Sequence, residues 1–158
     1  MRSILFVGVI LLSSSTYSQQ YKTAIGVKGD WSNLNYDLAL ISVKHFFNSP
    51  NAIEGNLGFG NGFIWTEAMY HRNFTLKGDL DWYAGAGLDL GYWSARKNDR
   101  LTAPHYGFWS GSTAVVGLEL TTNVIPLNFA LDIGPTFRLT PNADIGVKVG
   151  FAARYAIK

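Results

Sequence analysis

Polar and apolar residues alternate along the segment PLNFALDIGPTFRL, which runs from Pro126 to Leu139. One set of alternate positions is large and apolar, with a single proline: Leu127, Phe129, Leu131, Ile133, Pro135 and Phe137. The other set is small or polar: Asn128, Ala130, Asp132, Gly134, Thr136 and Arg138. A period of two predicts a β-strand whose two faces meet different surroundings.

The same alternation recurs along the chain and predicts eight strands, with no helical period of useful length. The predicted strands span approximately residues 21–30, 36–47, 52–60, 63–73, 81–94, 107–121, 126–139 and 144–157. Between them lie segments rich in Asn, Pro, Gly and Asp, which are the residues that turns require. We therefore expect one all-β domain that folds as an eight-stranded antiparallel up-and-down β-barrel.

The polar face of these strands distinguishes two kinds of barrel. A soluble barrel turns its apolar face inward, whereas an outer-membrane barrel turns its apolar face to lipid and fills its interior with the polar face. Here the polar face consists largely of Gly, Ala, Thr and Asn, with a charge only every few residues. Such residues are poor at covering a sheet that meets water, but they suit the narrow inside of an eight-stranded barrel. The sequence therefore predicts a transmembrane β-barrel.

Nearly balanced charges fall on the predicted interior face. They are Lys28, Asp30, Glu54, Asp89, Glu119, Asp132, Arg138, Lys148 and Arg154. We expect Asp132 to lie across from Gly150 or Ala152, within diagonal reach of Lys148 and Arg154. Buried charges persist only when they are paired and hydrogen-bonded, so these residues predict an ion-pair network that holds the barrel closed. A path for protons or ions is the alternative interpretation.

Aromatic residues on the apolar face predict two belts at the membrane interfaces. Trp82 and Tyr92 share a face ten residues apart, which spans about 25 Å of membrane normal for strands tilted near 40°. That is the height of the lipid-facing band of such barrels. The predicted girdle consists of Trp82, Tyr92, Phe108, Phe137 and Tyr155. Pro135 lies on the same face and donates no ladder hydrogen bond, so we expect a bulge or an overhanging strand near it.

Composition narrows the class of protein further. Charged residues make up only 15% of the chain, aromatic residues also make up 15%, and there is no cysteine. A net charge of +2 without a Lys/Arg cluster gives no reason to expect a nucleic-acid partner. Residues 1–18 read as a signal peptide, with Arg2 followed by the apolar run Ile4 to Leu12, which is too short to span a bilayer as a helix. Residues 19–158 would then form the mature barrel domain.

Candidate chemistry is sparse. The three histidines His45, His71 and His105 show no His-x-Ser pairing and no metal-ligand spacing, and we interpret each as a rim or loop residue. We expect no cofactor and no metal. With the amino terminus on the periplasmic side, the long loop ARKNDRLTAPHY faces outward. Its Arg96, Lys97, Asp99 and Arg100 are candidates for contact with lipopolysaccharide phosphates, although a simply solvated loop is the plainer interpretation.

The stretches VKHFFNSPNAIEGNLGF, DWYAGAGLDLGYW, GLELTTNVIPLNFALDIGPTFRL and VGFAARY resemble the small outer-membrane β-barrel proteins of Gram-negative bacteria. The chain most resembles the outer membrane protein beta-barrel domain family that is common in Bacteroidota, whose members are eight-stranded barrels like OmpA and OmpX. This resemblance covers nearly the whole mature chain. It implies an eight-stranded antiparallel meander that is inserted by the outer-membrane assembly machinery.

The sequence thus favours a monomeric, non-enzymatic outer-membrane barrel with a filled, non-conducting interior and a structural, surface or partner-binding role. Two alternatives remain open at this stage. The first is a barrel enzyme that modifies lipid A, which would show an outward-open cleft with a Ser or Glu beside a His. The second is a secreted soluble barrel that carries a small apolar ligand.

Overall fold

The computed structural model describes residues 21–34, 36–60, 62–94, 107–122, 124–140 and 142–157. They form eight strands: β1 (Thr23–Ser32), β2 (Tyr36–Asn48), β3 (Asn51–Gly60), β4 (Phe63–Lys77), β5 (Leu80–Trp93), β6 (Gly107–Thr121), β7 (Leu127–Thr140) and β8 (Asp144–Ile157). The predicted signal peptide, the loop residues Arg96, Lys97, Asp99 and Arg100, and His105 lie outside the described residues.

The strands form a closed barrel in which each strand pairs with its sequence neighbours. Every pair is antiparallel, and β1 pairs with β8 to complete the ring. Each strand overlaps its predicted counterpart, with the largest difference at the end of β4, which continues to Lys77. The predicted fold class is confirmed. No helix in the described part of the chain is long and apolar enough to cross a membrane.

The two ends of the barrel differ in their connections. The first and last described residues lie at one end, together with the strand ends that β2 shares with β3, β4 with β5 and β6 with β7, and we name it the terminal end. The strand ends that β1 shares with β2, β3 with β4, β5 with β6 and β7 with β8 lie at the other end, which we name the loop end. This division follows directly from the up-and-down topology, because successive strands run in opposite directions.

Burial along the strands is inverted relative to a soluble protein. Lys28 and Arg154 expose only 1% and 2% of their surface, whereas Val27 and Leu88 expose 63% and 65%. Lumen-facing positions alternate with exterior ones along every strand, as the geometry of a barrel requires. The large apolar side chains of the strands therefore cover the outside of the barrel, and polar side chains fill its inside.

Buried apolar clusters lie inside the barrel near both ends. Near the loop end, Leu34, Leu38 and Leu40 pack with Trp65 and Trp109. The rings of Trp65, Trp93 and Trp109 contact one another, with centroids 4.9 to 5.6 Å apart. At the terminal end the cluster consists of Tyr21, Ala24, Phe46, Ala52 and Ala156. A third buried cluster, Met69, Tyr83, Val115, Ala130 and Ala152, lies among the polar side chains between these two.

Pro135 does not produce the bulge that the sequence suggested. The register between β6 and β7 is the same on both sides of it, and the register shift of this strand pair lies between Ser110 and Gly111 instead. The ladder has no pairing of Gly134 or Pro135 with β6, and it resumes at Ile133 in the same register. A Cβ at Gly134 would lie 1.9 Å from the Ala114 carbonyl oxygen, so only glycine lets β6 approach so closely.

Candidate functional site

The lumen is the most highly charged part of the described structure. Five cations, six carboxylates and one histidine are buried there among the described residues: Lys28, Lys44, Arg138, Lys148, Arg154, Asp30, Glu54, Glu67, Asp89, Glu119, Asp132 and His71. A buried charge is costly unless another charge or several hydrogen bonds compensate it. The contacts of these side chains therefore decide what the lumen can do.

Lys28 connects three carboxylates near the centre of the barrel. Its Nζ lies 3.0 Å from Glu54 Oε1, 3.3 Å from Asp132 Oδ2 and 3.8 Å from Asp30 Oδ1. Glu54 and Asp132 stand on β3 and β7, neither of which is a ladder neighbour of β1. The ammonium group thus joins strands across the lumen, where the backbone ladder does not reach.

The space around Lys28 is kept open by Gly150 on β8. A Cβ at this position would lie 2.5 Å from Asp132 Oδ1 and 2.7 Å from Asp30 Oδ1. A side chain here would require one or both carboxylates to shift, so glycine lets them lie close to β8 beside the lysine.

Lys148 makes the second connection across the lumen. Its Nζ lies 2.5 Å from Glu67 Oε2 and 3.3 Å from Asp30 Oδ2, which links β8 to β4 and β1. Because Asp30 contacts both Lys28 and Lys148, these two lysines belong to one continuous network.

Arg154 extends the network towards the terminal end. Its guanidinium lies 2.7 Å from Glu54 Oε2, donates from Nε to Ser42 Oγ at 2.9 Å, and donates to Asn128 Oδ1 at 3.2 Å. Arginine suits this position because its planar group holds several hydrogen-bond donors in fixed directions. One side chain from β8 therefore orders groups on β2, β3 and β7.

The Glu119 carboxylate accepts several hydrogen bonds near the terminal end. Its carboxylate accepts hydrogen bonds from the Tyr21 hydroxyl and the Lys44 ammonium. It also accepts from Asn73 Nδ2 at 2.7 Å and from Asn128 Nδ2 at 2.6 Å. Since Asn128 also accepts from Arg154, the polar network runs without interruption from Glu119 to Glu67.

All nine residues predicted for the interior charge network face the lumen and are buried. Seven of them join one network: Lys28, Asp30, Glu54, Glu119, Asp132, Lys148 and Arg154. Arg138 lies apart near the loop end, where it pairs with Asp144 at 2.8 Å and covers the ring of Trp109. Asp89 is the cross-strand partner of Glu67 and lies within ion-pair distance of no cation in the described residues.

The contacts of Asp132 differ from the sequence-based expectation. It does lie opposite Gly150, as predicted, but its ion pair is with Lys28, and it accepts a hydrogen bond from Tyr83 at 2.8 Å. Lys148 and Arg154 pair with other carboxylates. The reason is that long side chains meet across the narrow lumen, whereas the prediction considered only neighbours along the sheet.

Aromatic side chains on the exterior occupy two levels. Of the predicted girdle, Trp82 and Tyr155 lie near the terminal end, whereas Tyr92, Phe108 and Phe137 lie near the loop end. Trp31 and Phe59 extend the loop-end level, and Phe47 and Phe129 extend the terminal-end level. Trp82 is only partly exposed because Phe74 stacks on it, with ring centroids 4.4 Å apart.

A solved structure has the same fold. The chain superposes on the N-terminal beta-barrel domain of Pseudomonas aeruginosa OprF with a TM-score of 0.59, at 15% sequence identity, covering 86% of this chain and all of that domain. No protein-family model and no curated protein sequence matches this chain. The similarity therefore supports the barrel fold and extends to no more specific property.

The histidines differ in their surroundings. His71 is fully buried, with Nδ1 3.6 Å from Glu54 Oε2 and its ring stacked on Tyr83, so its prediction as a rim or loop residue was wrong. His45 is exposed at the exterior and lies 2.9 Å from the Thr23 hydroxyl. The described residues contain no group of three or more His, Asp or Glu arranged to hold a metal ion.

Three network members were missed by sequence reasoning: Lys44 on β2, and Glu67 and His71 on β4. These are the two strands whose register the alternation pattern left undecided. The signal that could have found them is the spacing of two between Ser42 and Lys44 and among Glu67, Met69 and His71, all of which face the lumen.

Proposed function

We propose that this chain is an integral outer-membrane β-barrel protein whose filled interior does not conduct solutes, with a structural, surface or partner-binding role. One observation carries the proposal: the large apolar side chains of the strands are exposed on the barrel wall while five cations and six carboxylates are buried among the described residues. An apolar surface of this extent is unfavourable in water, whereas a barrel wall that contacts lipid is apolar. The fold shared with the OprF domain is consistent with this role.

The soluble ligand carrier receives less support from the same observation. A carrier of an apolar ligand needs an apolar lumen with room for the ligand. In this barrel Phe129 and Leu131 point outward, while the central lumen is occupied by the network around Lys28. The space that a carrier would offer to its ligand is filled here by side chains of the protein.

The lipid A-modifying enzyme also receives less support. Such catalysis needs a base next to a nucleophile that the substrate can reach. His71 adjoins Glu54, but both side chains are buried in the packed lumen between the apolar clusters near its two ends. We therefore propose that the protein is not an enzyme and that the His71–Glu54 contact is structural.

The remaining parts of the proposal concern export and partners. Residues 1–18 would direct export, the assembly machinery would insert the barrel as a monomer, and the terminal end would face the periplasm. A closed barrel supports a monomeric state because it leaves no unpaired strand edge around its wall. In this orientation Arg96, Lys97, Asp99 and Arg100 would face the lipopolysaccharide layer.

Gel mobility of protein extracted from fractionated membranes tests the proposal directly. A folded barrel of this class resists detergent until it is boiled, so we expect an outer-membrane band whose mobility changes on heating. A soluble periplasmic protein with unchanged mobility would contradict the proposal, because Phe129 and Leu131 would then have to face a protein core.

A further inference from the structure

A shallow apolar groove of about 490 Å³ lies on the exterior of the barrel across β5 to β8. Six side chains form its walls: Trp82, Val116, Leu118, Leu131, Ile133 and Val149. Gly117 and Asp132 form the floor, and the Asp132 side chain points away from the groove into the lumen. The groove is continuous with the apolar exterior and is lined by hydrocarbon.

Trp82, the groove residue nearest the terminal end, is connected through Phe74 to the guanidinium of Arg72. Trp82 stacks on Phe74 of β4, with ring planes 15° apart and centroids separated by 4.4 Å. The guanidinium carbon of Arg72 lies 5.6 Å from the centre of the Phe74 ring. The side chains of Arg72, Phe74 and Trp82 are therefore in consecutive contact, and the last of them lines the groove.

Arg72 is unusual among the exterior residues. It is an exposed cation on a largely apolar wall, and it pairs in the ladder with Asn51, the first residue of β3, so it lies near the terminal-end margin of the apolar band. No carboxylate among the described residues lies within ion-pair distance of it. A guanidinium at the edge of an apolar surface needs an anion, and phosphate is a partner that matches its forked geometry.

The ladder shows how a bound chain would run. The row of paired residues that begins at Arg72 passes through Ala84, Val116 and Ile133 to Val149. Strands of such barrels are tilted by about 35–45°, so a row across them is inclined to the membrane. Arg72 lies near the terminal end and Val149 near the middle of β8, so the row rises from the margin of the band towards its centre.

We propose that Arg72 and the groove bind one phospholipid of the leaflet at the terminal end. Arg72 holds its phosphate, the Phe74 and Trp82 rings lie beside Arg72 on its terminal-end side, and one acyl chain lies in the groove. This inference rests on the proposed membrane location of the barrel. A protein partner would have to bring a carboxylate to this depth of the bilayer, whereas a phospholipid presents a phosphate at that level and a hydrocarbon chain below it.

Native mass spectrometry of the full-length barrel, released from detergent micelles that contain phosphatidylglycerol, tests the site. We expect the protein to retain one phospholipid. Arg72→Gln should reduce the retained fraction roughly tenfold, because it removes a charge-assisted hydrogen bond to phosphate. Val116→Trp should reduce it to a similar extent by filling the groove.

Two variants serve as matched controls. Val27→Trp makes the same substitution on exposed β1, away from the groove, and Lys22→Gln neutralises an exposed cation at the terminal end. Both should retain lipid as the unaltered protein does. Equal retention in all five proteins, no retained lipid, or a lipid-free dimer would overturn the inference.

Heat-modifiable mobility of the same proteins in lipid vesicles separates this inference from the proposed function. A barrel that inserts and shifts on boiling but retains no phospholipid contradicts only the lipid site. A barrel that fails to insert contradicts the proposed function and the lipid site together.

Discussion

Ile53 and Glu54 are neighbours in β3, yet the two faces that they represent are stabilised in different ways. Ile53 exposes 52% of its surface on the exterior, whereas Glu54 exposes 1% and contacts Lys28, Arg154 and His71. The exterior face is largely apolar, and in the proposed membrane location hydrocarbon surroundings would suffice for it. In the lumen, each charged group depends on particular partners at particular distances.

This difference predicts opposite responses to substitution. On an exterior that faces lipid, as proposed, an apolar replacement should change little because lipid can fill the space, whereas an added charge should be costly. In the lumen, removal of one charge takes compensation away from its buried partners. The network also joins strands that are not ladder neighbours, such as β1 with β3 and β7, so its loss should affect the whole barrel.

Glu54→Gln should give the largest effect. It leaves the buried Lys28 and Arg154 without the carboxylate they share, and breaking a buried pair costs about 3–5 kcal/mol. We expect a decrease of this size in the free energy of unfolding, measured by urea titration in lipid vesicles with tryptophan fluorescence. The adjacent exterior change Ile53→Val should stay within about 0.5 kcal/mol. Similar small losses for both variants would show that the lumen network does not stabilise the barrel.

Ile41→Arg should have the next largest effect. Ile41 is exposed near the middle of β2, and a cation on the lipid face at mid-depth costs about 2–4 kcal/mol. The matched change Ile145→Arg, at the second residue of β8, should cost only about 0–1 kcal/mol because it lies at the interface. The same titration measures both. Equal costs at the two depths would contradict a lipid-facing exterior.

The sequence predicted the fold well because most strands have two chemically different faces. In β7 and β8 a large apolar set alternates with a polar set, and the registers follow, including Asp132 opposite Gly150. The nine predicted interior residues lie on such strands. Here the period of two contains all the information that is needed to assign each side chain to the lumen or to the exterior.

The prediction failed where the two faces resemble each other. Near the loop end, the lumen faces of β2 and β4 carry Leu38, Leu40 and Trp65, which belong to the buried apolar cluster at that end. The alternation is therefore weak in these strands, and Lys44, Glu67 and His71 were not assigned. Contacts across the lumen were also beyond prediction, since the Lys28–Asp132 and Lys148–Glu67 pairs depend on strand tilt and lumen width rather than on sequence spacing.

Asp89→Asn should have the smallest effect. It compares a lumen carboxylate that has no ion pair with one that has two. Asp89 lies opposite Glu67 in the ladder and within ion-pair distance of no cation among the described residues, so its charge faces a like charge and has no ion pair. Directly opposed like charges are destabilising. We expect the free energy of unfolding to remain unchanged or to rise by up to about 1 kcal/mol. Asp30→Asn is the matched control, because Asp30 contacts both Lys28 and Lys148, and we expect it to lose about 1.5–3 kcal/mol. An equal loss in both variants would mean that burial alone, and not pairing, determines what a lumen carboxylate contributes.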